Sequence, residues 1–402
     1  MSVKRQIPAL TGLRFFLALW VLTYHQVPPI KTILQGPLLE AVSAILHTGY
    51  SAVTAFFVLS GFVLAYNYDP ARFAVPEEKR RFAIARFSRI YPAYVLALVP
   101  LLPLFVYRLN KGIEQAPPLM EWSGLVLSLL LLQAWLPQTA LLWNYPGWSL
   151  SNEAFFYACY PSLATFIARI RHPRALVSAN AILWALSCAA PLIAIWAPVY
   201  HWGDLPATTS TLPGDVSIWA NIIRYNPLLR LPEFCGGIVL ANIYLALRGR
   251  FENKGTWFYL PSVVFILLLL TQASHIPYPL LHNGLALPLF EALILGLALG
   301  GGFLVRFLSY SLLELLGNAS YTMYILHVPI YYWLGLFFTH ILGRAPEGWL
   351  WFGTSITMVI LISCFFMKFI EEPLHRALRD ALLGSKPKMN KPAVVIEPEK
   401  VS

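Results

Sequence analysis

Two ionisable residues interrupt the first apolar run of the chain, LTGLRFFLALWVLTYHQV: Arg14 and His25. Eleven positions of a helix, at 100° each, return almost to the same face. That face carries a cation and, about 16 Å further along the axis, an imidazole. A second stretch suited to lipid, NYPGWSLSNEAFFY (144–157), holds a single carboxylate, Glu153. Pro146-Gly147 breaks the backbone and Ser149 can cap the helix that follows. Glu153 then falls in the first turn or just beyond, where the positive end of the helix dipole favours an ionised carboxylate. The competing reading is a carboxylate in interfacial water. Against it, ionisable groups in or beside lipid are costly and default to a functional role with a partner. Histidine and glutamate are the pair needed for general-base catalysis on a hydroxyl, the carboxylate fixing the tautomer and stabilising the imidazolium. The predicted depths of His25 and Glu153 match, which makes them the candidate catalytic pair.

The stretch RRFAIARFSRIYPAY places Arg86 and Arg89 three apart on one helix face, beside Arg80 and Arg81. Two guanidinium forks suit a phosphate or pyrophosphate better than lysine point charges do. Anchoring of the helix at the cytoplasmic membrane edge would explain the same cluster, so spacing alone leaves both readings open. Arg230 and Glu233 in NPLLRLPEF are spaced for an ion pair, structural or substrate-binding. His327 and Glu291 lie inside apolar runs and each needs a polar partner that the sequence does not reveal. Ser60 lacks the surroundings of a nucleophile elbow, and Ser60-Gly61 reads as small-residue helix packing.

The elements that position these residues are membrane helices. Of 402 residues, 58% are hydrophobic and 12% charged, and apolar stretches long enough to cross a hydrocarbon core recur throughout. The net charge of +10 does not point to nucleic acid, because the basic residues cluster in short loops between apolar runs. The first run lacks a small-residue cleavage site and reads as a retained helix. Cys159, Cys188, Cys235 and Cys364 are scattered singly, without the paired spacing of a zinc site, so no metal is expected. About eleven apolar runs can be traced. The one at 123–136 is the shortest and suits a re-entrant or interfacial segment. Dropping it puts the clusters at 72–89, 169–174 and 248–254 on one side, with about ten crossings and both termini cytoplasmic. The expected architecture is therefore an all-α polytopic membrane domain over residues 1–383. A Lys-, Pro- and Glu-rich tail, 384–402, is expected to be disordered and cytoplasmic.

Seven stretches in order, LTGLRFFLALWVLTYH, FFVLSGFVLAY, RFSRIYPAY, WSLSNEAFFY, NPLLRLPEF, LGNASYTMYILHVP and FIEEPLHR, resemble the acyltransferase-3 family of integral membrane O-acyltransferases over nearly the whole chain. The resemblance implies that His25 and Glu153 are the essential pair and that Arg14, Arg86 and Arg89 serve an acyl-coenzyme A donor. Asn152 is a departure, since many members carry an acidic or small residue there. The chain ends soon after FIEEPLHR, without the hydrolase-like extracytoplasmic domain that some members carry, so a stand-alone member is expected.

Residues and resemblance together lead to one expectation. An acyl group, acetyl foremost, passes from cytoplasmic acyl-coenzyme A to a hydroxyl of an extracytoplasmic or lipid-linked carbohydrate, in the inner (cytoplasmic) membrane. Arg230, Glu233 and His327 are the candidate substrate-binding residues. The alternatives are acylation of a small secreted metabolite such as a macrolide sugar, and a proton-coupled transporter. The second lacks the repeats and paired broken helices usual for secondary transport.

Overall fold

The computed structural model describes residues 6–26, 36–112, 116–196 and 218–384. The basic pair Lys4/Arg5, most of the loop from Pro198, and the tail beyond Gly384 lie outside them. Among the described residues there is no strand. In chain order the helices are α1 (Pro8–Tyr24), α2 (Gly36–His47), α3 (Ala52–Asn67), α4 (Pro76–Leu98), α5 (Leu101–Lys111), α6 (Pro118–Leu129), α7 (Trp148–Ile167), α8 (Pro173–Trp196) and α9 (Ile218–Tyr225). They continue with α10 (Pro227–Phe251), α11 (Thr256–Thr271), α12 (Tyr278–His282), α13 (Leu287–Leu299), α14 (Gly302–Leu308), α15 (Ser311–Asn318), α16 (Ser320–His340), α17 (Gly348–Phe366) and α18 (Glu372–Leu383). Six described stretches are long and apolar enough to cross a membrane: Gly49–Asn67, Pro76–Lys111, Pro173–Ile193, Ala220–Phe251, Tyr278–Leu299 and Gly348–Leu383. Two shorter apolar helices, Pro8–Tyr24 and Thr256–Thr271, accompany them. This is an all-helical polytopic membrane protein.

The basic clusters gather at one end of the bundle. Lys79, Arg169 and Arg171 border one surface hollow together with Pro70 and Ala71, and Arg80 Nη2 donates to Leu382 O at 2.9 Å. Helices α3 and α10 run in the same direction, since Gly61 packs beside Phe234 and Tyr66 beside Tyr244, so Arg248 and Arg250 follow Asn67 to that same end. The short run near 123–136 does not cross. Leu131 turns the chain with φ +56. Gln133 Nε2 then donates to Gly147 O at 2.7 Å and to the Tyr94 hydroxyl at 3.1 Å. Residues 118–147 therefore fold back as a lid over the start of α7, at the end opposite the basic clusters.

The most extensive helix contact is α3 against α10. A Cβ on Gly61 would stand 2.1 Å from Phe234 O, and one on Gly237 2.0 Å from Val58 O. Small residues permit this approach, and close packing replaces the hydrophobic driving force that lipid does not supply. Lipid-facing side chains stay apolar, as Leu260, Phe265 and Leu268 on α11 show. Gly237→Ala should destabilise the fold by roughly 1–3 kcal/mol, the usual cost of overpacking a close contact. Thermal unfolding of purified protein in detergent checks this, with Gly249→Ala, which meets nothing, as the control.

Candidate active site

Arg14 on α1, Arg86 and Arg89 on α4, Ser60 on α3, Glu153 and Tyr157 on α7, and Tyr321 and Tyr324 on α16 line one cavity of about 170 Å³. A second cavity, of about 650 Å³, adjoins it through Arg14, Arg86, Val63 and Leu64 and reaches the basic end at Tyr68, Arg72, Glu78 and Arg81. The start of α4 is built for this place: Pro76 opens it and Glu77 and Glu78 sit in its first turn, which suits the helix dipole. Arg86 Nη2 donates to the Tyr68 hydroxyl at 3.2 Å, and its guanidinium lies 5.6 Å from the Tyr68 ring centre. Arg89 Nη1 lies 2.6 Å from Glu371 Oε1, and its guanidinium lies 6.0 Å from the Tyr321 ring centre. The structure thus brings together Arg14, Arg86 and Arg89, the three arginines that the resemblance links to the donor. Cavity-lining charge is strongly positive, with Arg14, Arg72, Arg81, Arg86 and Arg89 against Glu78 and Glu153.

Glu153 belongs to this arginine cavity and not to the histidine. The Tyr157 hydroxyl donates to Glu153 Oε1, and so does that of Ser60, at 3.2 Å. No hydrogen bond or ion pair joins Glu153 to His25. The matching depths expected from sequence fail because α7 does not begin at the end of the bundle. The lid of residues 118–147 covers its first turns, and Trp148 to Asn152 are all buried. Ser60 is also more than a packing residue: Gly61 faces α10 while the Ser60 hydroxyl faces Glu153. Tyr157 was legible as the residue four places after Glu153, on the same face. Asn152 is fully buried with no hydrogen-bond partner for its amide, and lies outside the cavity lining.

His25 sits in the turn after α1. Its ring stacks on His327 at 5.2 Å between centroids and meets Tyr145 at 4.7 Å and Tyr24 at 4.8 Å. His327 is fully buried, its Nδ1 3.3 Å from Met323 O and its Nε2 without a partner. Beside this pair, a third cavity of about 850 Å³ is walled by aromatic rings, among them Trp143, Tyr145, Tyr331, Tyr332, Trp333 and Trp351, with Gln26 and Arg108 as polar elements. Trp351 Nε1 donates to Gln26 Oε1. The sequence reading missed this aromatic cavity, whose walls come from four separate stretches of chain. Between it and the arginine cavity stands Tyr324. Its hydroxyl is 2.8 Å from Ser149 Oγ and donates to Pro146 O at 3.2 Å, and its ring approaches His327 at 6.1 Å.

Arg230 and Glu233 form the ion pair that their spacing suggested, 2.9 Å apart and both 0% exposed. Arg230 also donates to His282 O at 2.5 Å, Asn283 Oδ1 at 3.0 Å and Thr54 Oγ1 at 3.1 Å. Neither residue lines the three cavities. The cluster fastens α10 to α3 and to the turn after α12. Nearby, Arg224 is buried with its guanidinium 4.3 Å from the Tyr278 ring centre and no hydrogen-bond partner. Glu291 finds its partner in Asn180, 2.5 Å away. The four cysteines are free, and among the described residues no group of three or more potential ligands could hold a metal ion.

The structure is thus a helical membrane bundle with an arginine-lined cavity that reaches its basic end and a buried histidine toward the other. An acyltransferase domain model, that of the acyltransferase-3 family, matches residues 7–368, and the chain belongs to that family. Its curated relatives include the acyltransferase MdmB of Streptomyces mycarofaciens, 32% identical over 345 residues that cover 81% of this chain and 79% of that protein. Protein 2 in the picA locus of Rhizobium radiobacter is 36% identical over 124 residues, 28% of this chain and 65% of that one. No solved structure matches the chain.

The buried ion pair generates a prediction separate from chemistry. Arg230→Ala leaves the Glu233 carboxylate uncompensated in a low-dielectric interior and should cost roughly 3–5 kcal/mol of stability. Arg86→Ala, at a half-buried cavity position, should cost far less. Thermal melts of the two variants in detergent compare them, and equal melting temperatures would contradict the structural role of Arg230.

Proposed function

We propose that the protein transfers an acyl group, most simply acetyl, from acyl-coenzyme A to a carbohydrate hydroxyl. The donor would enter from the cytoplasmic face and the acceptor from the opposite face of the inner membrane. The observation that carries this reading is the pair of adjoining cavities that lead from the basic end to Glu153 between Arg14, Arg72, Arg81, Arg86 and Arg89. Their positive lining suits the phosphates of coenzyme A, and Arg forks bind such groups bidentately. The pantetheine arm runs past Glu153, Ser60 and Tyr157 and brings the thioester to Tyr324. The acceptor occupies the aromatic cavity, where Trp and Tyr faces suit a sugar ring, with its hydroxyl toward His25.

His25 takes the proton of that hydroxyl as its oxygen forms the ester bond. The carbon–sulfur bond breaks, and the proton passes to the coenzyme A thiolate. In this scheme Glu153 orders Ser60, Tyr157 and the arginine charges around the donor, and His327 holds the His25 ring. Arg230 and Glu233 are not assigned to the substrate, because every contact they make is internal.

Two outcomes are expected. His25→Ala should lower acylation of the surface glycan, read by mass spectrometry, by about two orders of magnitude or more, the usual share of general-base catalysis. Coenzyme A should still bind the purified variant. Near-normal acylation in His25→Ala would sink the mechanism. For orientation, thiol labelling of intact cells should reach Gln138→Cys and Arg344→Cys, exposed at the lid end, and leave Lys79→Cys and Glu252→Cys unlabelled until the membrane is permeabilised. Labelling of Lys79→Cys in intact cells would invert the orientation.

A further inference from the structure

Glu371, in the stretch FIEEPLHR, has no part in the scheme above, yet its carboxylate is placed where a ligand-facing arginine needs it. It closes a π-helical turn, Met367–Glu371, between α17 and α18. Such turns are rare and recur at functional sites, because the extra residue re-aims a side chain. Here the carboxylate is turned into the bundle. Its side chain is 1% exposed while that of its partner Arg89 is 36% exposed and lines the donor cavity. One Glu371 oxygen lies 2.6 Å from Arg89 Nη1, and the other accepts from the Thr322 hydroxyl. Arg89 is bounded on another side by the Tyr321 ring, whose hydroxyl is itself tied to Ile90 O at 2.7 Å. The guanidinium is therefore held from behind by a buried carboxylate and flanked by a fixed ring, with its remaining N–H groups left for the cavity.

We infer that Glu371 is a positioning residue for the donor, orienting the Arg89 fork toward a phosphate or pyrophosphate group through the Arg89–Glu371–Thr322 chain. A long arginine loses rotamer freedom on binding an anion, and a carboxylate that fixes it beforehand removes part of that loss. The inference rests on the donor reading given above. It adds that the junction of α17 and α18, distant in sequence from both arginines, sets donor affinity.

The test uses the full chain, purified in lipid nanodiscs, titrated with coenzyme A and with pantetheine, which lacks the phosphates. Glu371→Ala should weaken coenzyme A binding about tenfold or more, through loss of the ion pair to Arg89, and leave pantetheine binding unchanged. Glu371→Gln, which keeps the side-chain shape but removes the negative charge paired with Arg89, should weaken coenzyme A binding several-fold. Thr322→Val should move it a few-fold in the same direction. Because Glu371 acts through Arg89, the Arg89→Ala/Glu371→Ala double variant should bind coenzyme A no more weakly than Arg89→Ala alone. If Glu371→Ala does not fold, the Gln and Val variants carry the test. Unchanged coenzyme A affinity in the variants, additive losses in the double variant, or an equal loss for pantetheine would overturn the inference while leaving the donor reading in place. Failure of the wild-type protein to bind coenzyme A would remove both.

Discussion

A guanidinium group inside a bundle that crosses hydrocarbon must be met by polar atoms of the protein itself, and the rest of this site follows from that requirement. Arg86 is met by the Tyr68 hydroxyl and by aromatic faces. Arg89 is met by Glu371. Arg14 shares its cavity with Glu153. The compensation stops short of neutrality, since even with Glu371 added to Glu78 and Glu153 the five arginines of the adjoining cavities remain in excess. Arg230 shows the other way of meeting the same cost: its two terminal nitrogens meet Glu233, Thr54, His282 and Asn283 at zero exposure, while its Nε has no hydrogen-bond partner. A cation whose hydrogen bonds are all made inside the protein fastens helices. One that lines a cavity in an excess of positive charge is available to an anion.

The division of the interior follows from the same chain segment that displaced Glu153 from His25. The lid over α7 is anchored by Gln133 to Gly147 O, and the next residues supply Tyr145 to the His25 ring and Pro146 O to the Tyr324 hydroxyl. One short turn thus touches the imidazole, the partition residue and the start of the helix that carries Glu153. On the proposed scheme, a movement of Tyr324 that lets a thioester through would break its bonds to Ser149 and Pro146 and so disturb the contact between Tyr145 and His25. That turn would then link arrival of the proposed donor to the placing of the proposed base.

Much of this was legible in the sequence, and the parts that were not have physical reasons. The all-helical membrane class followed from apolar runs and the placing of basic clusters, and the short run at 123–136 was readable by its length. Arg86 and Arg89 were readable because i, i+3 spacing on a helix fixes a shared face, whatever the tertiary structure does. The pairing of His25 with Glu153 was not, because relative depth depends on where each helix starts. The start of α7 is set by a lid whose folding depends on long-range bonds such as Gln133 to Gly147. Glu371 was invisible for a related reason: a π-turn has no pattern in composition, and its partner lies 282 positions away.

Ser60-Gly61 shows why a choice between packing and chemistry was the wrong question for that dipeptide. Successive residues on a helix point about 100° apart, so the close approach of Gly61 to Phe234 O on α10 turns Ser60 away from that interface and toward Glu153. A bulkier residue at 61 would push α3 off α10 and carry the Ser60 hydroxyl with it. The same pair of helices is fixed by the bond from Arg230 to Thr54. The tight glycine contact and the buried ionic cluster therefore act at two heights of one interface, and their joint effect is to hold the flank of α3 that carries Ser60 at a fixed distance from the carboxylate of α7.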